Sequence, residues 1–148
     1  MIERLDHINI VVSDLEKARD FFSLFGFREC SFSELSGDWI SLLVGLEDVR
    51  ARYVALSLPG SNTNIELIEY KSPKSERDPR LGKSNQIGLR HLAFAVDDIE
   101  TEVRRLTEAG IEFMSSVRTY EKSGKKLVYF HGPDGILLEL AEYQKGER

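Results

Sequence analysis

Large apolar side chains recur at every second position in residues 8–12, within the stretch 4–12, and again in residues 92–96, within the stretch 88–96. Each stretch continues into a segment whose apolar residues recur every three or four positions, which predicts a strand followed by an amphipathic helix. At one constant offset, residues 4–26 and 88–110 both contain a strand, an Asp at a helix start, a helix and a closing Gly. The chain therefore contains an internal repeat.

The ends of the two predicted helices carry matching signals. A Ser or Asp side chain precedes each helix and can cap it, apolar residues form one stripe, and a glycine follows where a left-handed residue is favoured. These residues are Ser13 or Asp14, Leu15, Ala18, Phe22 and Gly26 in the first copy, and Asp97 or Asp98, Ile99, Val103, Leu106 and Gly110 in the second.

Further stretches typical of strands follow each predicted helix. They are 27–33, 39–45, 51–59 and 64–70 in the first copy, and 111–117, 126–132 and 135–143 in the second. The sequence GPDG at 132–135 indicates a tight turn. Each half is therefore predicted to contain a strand, a helix and about three strands.

The segment between the halves is polar, aperiodic and contains two prolines. This composition is typical of a linker or surface loop. We therefore predict module one at 1–70, the linker at 71–87 and module two at 88–145, all within one domain of 148 residues.

Composition and charge narrow the class of protein. The net charge of −5 argues against nucleic acid as a partner, because phosphate backbones bind basic surfaces. The lone Cys30 excludes an internal disulfide framework and fits a reducing compartment. We see neither a signal peptide nor the run of about 20 apolar residues that a membrane span needs, so we expect a cytoplasmic protein without a membrane partner.

Two of the three histidines occupy matching positions in the repeated strands. Side chains alternate between the faces of a strand, so His7 points away from Ile8, and His91 points away from Leu92. The apolar face of each strand is expected to pack on its helix. Both histidines are therefore predicted on the opposite face.

The last predicted strand of each half carries a glutamate in an equivalent position. Glu66 lies within the sequence IEL and Glu139 within LEL, so both point away from their apolar neighbours. A carboxylate in such a strand is costly to bury unless it is paired or bound to a cation. The sequence thus places one His and one Glu of each half on the same kind of face.

Taken singly, each histidine is explained as a hydrogen-bonded core residue, and each glutamate as a solvated carboxylate. Four residues matched in type, strand and face favour a site for one divalent metal ion instead. The predicted ligands are His7, Glu66, His91 and Glu139. Imidazole and carboxylate together suit Zn, Ni, Co, Fe or Mn, and the absence of thiolate argues against a structural zinc site.

The chain resembles the vicinal oxygen chelate superfamily, which includes glyoxalase I, methylmalonyl-CoA epimerase, extradiol dioxygenases and fosfomycin- and bleomycin-resistance proteins. The resemblance rests on LDHINIVVSDLEKARDFF, NIELIEY, GLRHLAFAVDDIE and FHGPDGILLELAE, and excludes only the linker and the last few residues. It implies an α+β fold, the glyoxalase/bleomycin resistance/dioxygenase fold, in which two tandem βαβββ modules form a curled mixed-sheet cup around the metal. The ligand positions of the family fall on the same four residues.

The resemblance also implies chemistry. The metal would act as a Lewis acid on a carbonyl oxygen, while a carboxylate moves a proton at the adjacent carbon. Glu139 would be both ligand and candidate base, and Glu66 a ligand and candidate base for the opposite face. The substrate would be a small anionic, 2-oxo or acyl compound, and a homodimer is expected.

The carboxylate at Glu66 favours the lyase and isomerase branch, of the glyoxalase I or acyl-CoA epimerase type. For extradiol dioxygenases, the resemblance implies a different set of metal ligands, with two histidines and one carboxylate. Two alternatives remain: an Fe(II) extradiol-type dioxygenase, and a metal-free protein that binds a small molecule and confers resistance.

Other residues carry weaker signals for a substrate pocket. Trp39 and Tyr53 are candidates for its wall, although strand aromatics more often pack in a core, and His131 is expected in a turn or on the surface. A basic set could hold an anionic substrate, although each member is individually explained as a surface charge. This set is Arg52, Lys71, Lys74, Arg77, Arg80, Lys122, Lys125 and Lys126.

Overall fold

The computed structural model describes residues 1–144, so residue 145, the end of the predicted second module, lies outside it. The chain divides into two compact units, Met1–Arg77 and the residues from Asp78 onward. Each unit contains one four-stranded mixed sheet. The two sheets have the same order of strands.

Unit one contains a βαβββ arrangement with one additional helix. Its elements are β1 (His7–Val11), α1 (Leu15–Ser23), β2 (Arg28–Ser36), α2 (Asp38–Val44), β3 (Arg50–Ser57) and β4 (Asn64–Ser72). The strand order is β1-β4-β3-β2. Strand β1 is parallel to β4, and the other two pairs are antiparallel.

Unit two repeats this topology. Its elements are β5 (His91–Ala95), α3 (Ile99–Glu108), β6 (Arg118–Tyr120), β7 (Lys125–His131) and β8 (Leu137–Glu142). The strand order is β5-β8-β7-β6, with β5 parallel to β8. A short 3-10 turn at Pro133–Gly135 joins β7 to β8, where the GPDG sequence predicts a turn. The α+β class and the two tandem βαβββ modules are confirmed.

Local signals set the ends of α1 and α3. Asp14 accepts a hydrogen bond from the Lys17 N–H at 3.0 Å, and Asp98 accepts one from the Thr101 N–H at 3.0 Å. The predicted stripe of α1 is fully buried, and Gly26 has a φ of 85°. No helix among residues 1–144 is both long and apolar enough to cross a membrane.

The strand predicted at 39–45 is wrong, because this segment forms α2. Gly37 and Gly45 have positive φ angles of 93° and 70° at its two ends, which differ from the negative φ of a regular strand. Ser41 adds local hydrogen bonds to the Gly37 carbonyl and the Val49 N–H. A short, mostly apolar run is compatible with either a strand or a helix, and here the backbone at its two ends favours the helix.

The strand predicted at 111–117 is also wrong. Phe113 forms a single bridge with Phe130, and the strand β6 begins only at Arg118. Between them the Ser115 hydroxyl donates to the Ser116 carbonyl at 2.8 Å. Such local side-chain bonds compete with a strand ladder.

Each sheet has one face against its helix and one face away from it. Helix α1 packs on β3 and β4, and α3 packs on β8. We call the face away from α1 or α3 the open face. In β1 the exposure of successive residues alternates, and His7 lies on the more exposed side. The same alternation places His91 on the open face of unit two.

Candidate metal site

The open face of unit one brings a histidine and a glutamate together. The register pairs β1 with β4 so that His7 is opposite Asn64, two residues along the strands from the Asn9–Glu66 pair. His7 Nε2 lies 3.2 Å from Glu66 Oε2, and both side chains are partly exposed. Two adjacent parallel strands thus hold an imidazole nitrogen beside a carboxylate oxygen.

A second carboxylate fixes the orientation of the His7 ring. Asp6 Oδ2 lies 3.0 Å from His7 Nδ1. Because an ionised carboxylate only accepts hydrogen bonds, the Nδ1 hydrogen points at Asp6. This bond raises the pKa of His7, with a smaller contribution from Glu66 that burial opposes.

When His7 is neutral, its Nε2 atom and Glu66 Oε2 face each other as two hydrogen-bond acceptors. In a neutral ring with its hydrogen on Nδ1, Nε2 carries a lone pair, and this lone pair faces the Glu66 oxygen at 3.2 Å. Two acceptors at this distance require a proton or a cation between them. An imidazole nitrogen paired with a carboxylate oxygen is also a donor set that suits divalent transition metals.

Unit two contains the equivalent pair in a more buried setting. His91 Nε2 lies 3.1 Å from Glu139 Oε2, and the His91 ring is 5.2 Å from the Tyr129 ring. Glu139 is only 3% exposed. A buried carboxylate is costly unless a cation compensates it.

The remaining oxygen of each glutamate faces a side chain from the neighbouring antiparallel strand. The Tyr53 hydroxyl donates to Glu66 Oε1 at 2.9 Å. Burial raises the pKa of Tyr53, so the phenol keeps its hydrogen. In unit two, Lys125 Nζ lies 3.0 Å from Glu139 Oε1, and Glu139 is the main cause of a raised Lys125 pKa.

Two other strand glutamates lie on the helix faces. Glu69 pairs with Arg52 and Lys71, and Arg52 also binds Glu16. In unit two, Glu142 accepts a hydrogen bond from the Ile99 N–H at 2.8 Å and pairs with Lys126 at 3.2 Å. These contacts join each sheet to its helix and use both oxygens of each carboxylate.

The four predicted ligands therefore form one pair in each unit. His7 and Glu66 lie together in unit one, and His91 and Glu139 lie together in unit two. Within either unit, the described residues contain no group of three or more His, Cys, Asp or Glu side chains arranged to hold a metal ion. Each unit thus supplies two candidate donors.

Sequence reasoning missed three neighbours of these pairs. The repeat does not single out Asp6, because Arg90 takes its place in the second copy. The sequence indicates only a pocket-wall position for Tyr53 and a surface charge for Lys125. Strand parity puts both on the open face, but only the register brings them to Glu66 and Glu139.

The other weak candidates differ from Tyr53 and Lys125 in their position or contacts. Trp39 is on α2 instead of a strand and is 59% exposed. His131 is exposed, as expected, and its Nε2 atom is 3.4 Å from the Gly82 carbonyl oxygen. In the basic set, Arg52 and Lys126 bind carboxylates on the helix faces. Lys125 differs from both because it binds Glu139 on the open face.

Paired βαβββ units with one His–Glu pair each define a two-module α+β protein with a repeated polar site. The chain belongs to the Glyoxalase/Bleomycin resistance protein/Dioxygenase superfamily, whose family model matches residues 4–140. The resemblance to the vicinal oxygen chelate superfamily is thereby confirmed.

Similar proteins agree with this assignment. The chain is 28% identical over 147 residues to a 2-epi-5-epi-valiolone epimerase from an Actinomyces species, covering 95% of this chain and 79% of that protein. It is 28% identical over 141 residues to the mitochondrial methylmalonyl-CoA epimerase of Mus musculus, covering 94% and 72%. A glyoxalase family protein from Bacillus cereus has a crystal structure with a TM-score of 0.87, at 32% identity and 97% and 95% coverage.

Proposed function

We propose that this chain is a divalent-metal-dependent isomerase of the epimerase type, which moves a proton at the carbon next to a metal-chelated carbonyl group. Two similar proteins are epimerases by name. Both names denote substrates with a carbonyl group, a ketone in one case and an acyl-CoA thioester in the other.

One metal ion would be held by His7, Glu66, His91 and Glu139. The observation that carries this proposal is the matched contact between Nε2 and Oε2, at 3.2 Å in unit one and 3.1 Å in unit two. Asp6 supports this proposal because its carboxylate accepts the Nδ1 hydrogen of His7. The Nε2 lone pair of the neutral ring is then available to bind the metal. Metal-bound histidines typically donate their second N–H to a carboxylate in this way.

The bound ion would supply Lewis acidity at the carbonyl oxygen of the substrate. The chain itself supplies the groups that accept and return the proton. Glu139 and Glu66 are the candidate bases, with Glu66 serving the opposite face of the substrate carbon. An epimerase needs proton transfer on both faces, because the reaction inverts one carbon.

Metal analysis tests the ligand set. We expect about one Zn²⁺ or Co²⁺ per chain at equilibrium dialysis, and a marked loss in the variants His7→Ala and His91→Ala. His131→Ala is the matched control, since His131 belongs to neither pair and should retain full metal content. Equal metal in all three variants, or no metal in the wild type, would overturn the proposed site.

Solvent-deuterium exchange tests the reaction. We expect exchange at the carbon next to the carbonyl in an acyl-CoA thioester or a cyclic ketone. Exchange confined to a 2-oxo thiohemiacetal would indicate a glyoxalase-like lyase instead. Oxygen uptake with catechols would indicate a dioxygenase, and tight binding without turnover would indicate a binding protein.

We also propose that the protein is a homodimer, since the superfamily resemblance implies this assembly. Light scattering at several concentrations measures the mass directly. A mass near that of one chain of 16.9 kDa at all concentrations would exclude the dimer.

A further inference from the structure

We propose that Tyr53 and Lys125 are positioning residues, which hold Oε1 of Glu66 and of Glu139 so that Oε2 of each stays beside its histidine. This inference rests on the proposed metal site, and it concerns residues outside the predicted ligand set. The two units would thus orient their glutamates with chemically different side chains, a phenol in unit one and an ammonium in unit two.

In unit one the positioning contact is a hydrogen bond between neutral and charged groups. The Tyr53 hydroxyl is 2.9 Å from Glu66 Oε1, while Oε2 is 3.2 Å from His7 Nε2. Tyr53 is opposite Ile68 in the antiparallel pair, so it reaches Glu66 diagonally on the open face. Diagonal neighbours of this kind are within reach of long aromatic side chains.

In unit two the contact is ionic. Lys125 Nζ lies 3.0 Å from Glu139 Oε1, while Oε2 is 3.1 Å from His91 Nε2. The ammonium group also lies 5.1 Å from the centre of the Tyr143 ring. Because Glu139 is almost fully buried, the charge of Lys125 compensates its carboxylate from the Oε1 side.

The glutamates on the helix faces, Glu69 and Glu142, have a hydrogen-bond or ion-pair partner at both carboxylate oxygens. Glu69 has a cation at each oxygen, from Arg52 and Lys71. Glu142 receives a backbone N–H at Oε2 and a cation at Oε1. Neither carboxylate therefore has an oxygen without a partner that could bind a metal ion.

Glu66 and Glu139 follow a different pattern. In each of them, one oxygen contacts a Tyr or Lys side chain from the antiparallel strand and the other lies beside a histidine nitrogen. Tyr129, opposite Glu139 on β7, adds a further hydrogen bond to the Glu139 carboxylate. A carboxylate held in this way can offer a single oxygen to a metal in a fixed direction. Loss of such outer partners typically weakens metal binding by about 10- to 100-fold.

The test measures the dissociation constants of Zn²⁺ and Co²⁺ by competition with a chelator. Tyr53→Phe removes only the hydroxyl, and Lys125→Met removes the ammonium with little change in length. We expect each to weaken binding by about tenfold or more and to change the visible absorption band of bound Co²⁺, which reports ligand geometry. Lys125→Arg should restore binding, because it returns a cationic donor.

Two matched controls separate positioning from general damage. Tyr70→Phe removes a hydroxyl from the same face of the same sheet, and Lys126→Met removes the neighbouring ammonium, which binds Glu142 on the other face. Both should bind metal as the wild type does.

If the wild type binds metal and Tyr53→Phe and Lys125→Met bind it equally well, the positioning roles are overturned while the metal site stands. Tighter binding in Lys125→Met would show that the ammonium competes with the metal, which also overturns its role. If the wild type binds no metal, the proposed function itself fails.

Discussion

Asp6 and Glu66 flank the His7 ring, with Asp6 Oδ2 3.0 Å from Nδ1 and Glu66 Oε2 3.2 Å from Nε2. The ring is therefore oriented by one carboxylate and presented to another. In the repeat, Arg90 takes the place of Asp6, and its guanidinium donates to the Leu81 and Lys83 carbonyls at 3.3 Å. The two His–Glu pairs share their geometry but differ in how they are supported.

Asp6→Ala should lower the pKa of His7 in the metal-free protein, because the bond to Asp6 is the largest cause of its raised value. A raised folded-state pKa stabilises the fold at a pH below about 6.5, and this contribution disappears as the pH rises through the folded-state value. NMR titration of the ring protons measures the change. Asp20→Ala, which removes an exposed carboxylate from α1, should leave His7 unaffected.

Glu142→Gln should reduce the dependence of stability on acid pH. The Ile99 N–H, with Lys126, lowers the pKa of Glu142. The folded protein thus binds fewer protons than the unfolded chain, so this stability is present above about pH 4.3 and is lost as the pH falls through the folded-state value. Urea unfolding between pH 3 and pH 7 measures it.

The control for this experiment is Glu100→Gln, which changes an exposed carboxylate on α3. Its unfolding free energy should follow the wild-type dependence on pH. If Glu142→Gln also follows the wild type over the whole range, the bond to the helix start does not contribute as the structure indicates.

Phe22→Ala should lower the free energy of unfolding by about 3–5 kcal/mol, because it leaves a cavity in the core beneath α1. Phe22 is fully buried and contacts the edges of the Phe21 and Phe27 rings. Phe32→Ala is the matched control, since Phe32 is half exposed on β2 and should cost less than about 1 kcal/mol. Chemical denaturation of both variants measures the free energy of unfolding. Equal losses of free energy in the two variants would contradict the burial of Phe22 in the core.

Gly82→Ala should loosen the segment that precedes β5. A methyl group there would lie 2.7 Å from the Gly135 carbonyl oxygen and 2.8 Å from His131 Nε2. The backbone contact cannot be relieved by a rotamer change, so the segment must shift. Trypsin should then cleave this variant near Arg80 and Lys83 faster than it cleaves the wild type. The control variant Ser84→Ala should be cleaved at the wild-type rate.

Helix caps, the internal repeat and strand parity were predictable because each depends on neighbours within a few residues. Asp14 and Asp98 cap their helices as the sequence predicts, and His7 and His91 lie on the expected faces. The segment at 39–45 was not predictable in the same way. Its apolar run fits a strand or a helix, and the backbone of Gly37 and Gly45 selected the helix.

The sequence by itself determined which side chains share a face, since the two-residue period of a strand and the repeated pattern require no distant contacts. Only the tertiary structure decided which of them meet. Tyr53 reaches Glu66, and Lys125 reaches Glu139, through the register of antiparallel strands, which residues far apart in the chain set jointly. The two-residue period likewise puts the neighbours Lys125 and Lys126 on opposite faces of one sheet, and only the folded sheet brings them to Glu139 and Glu142.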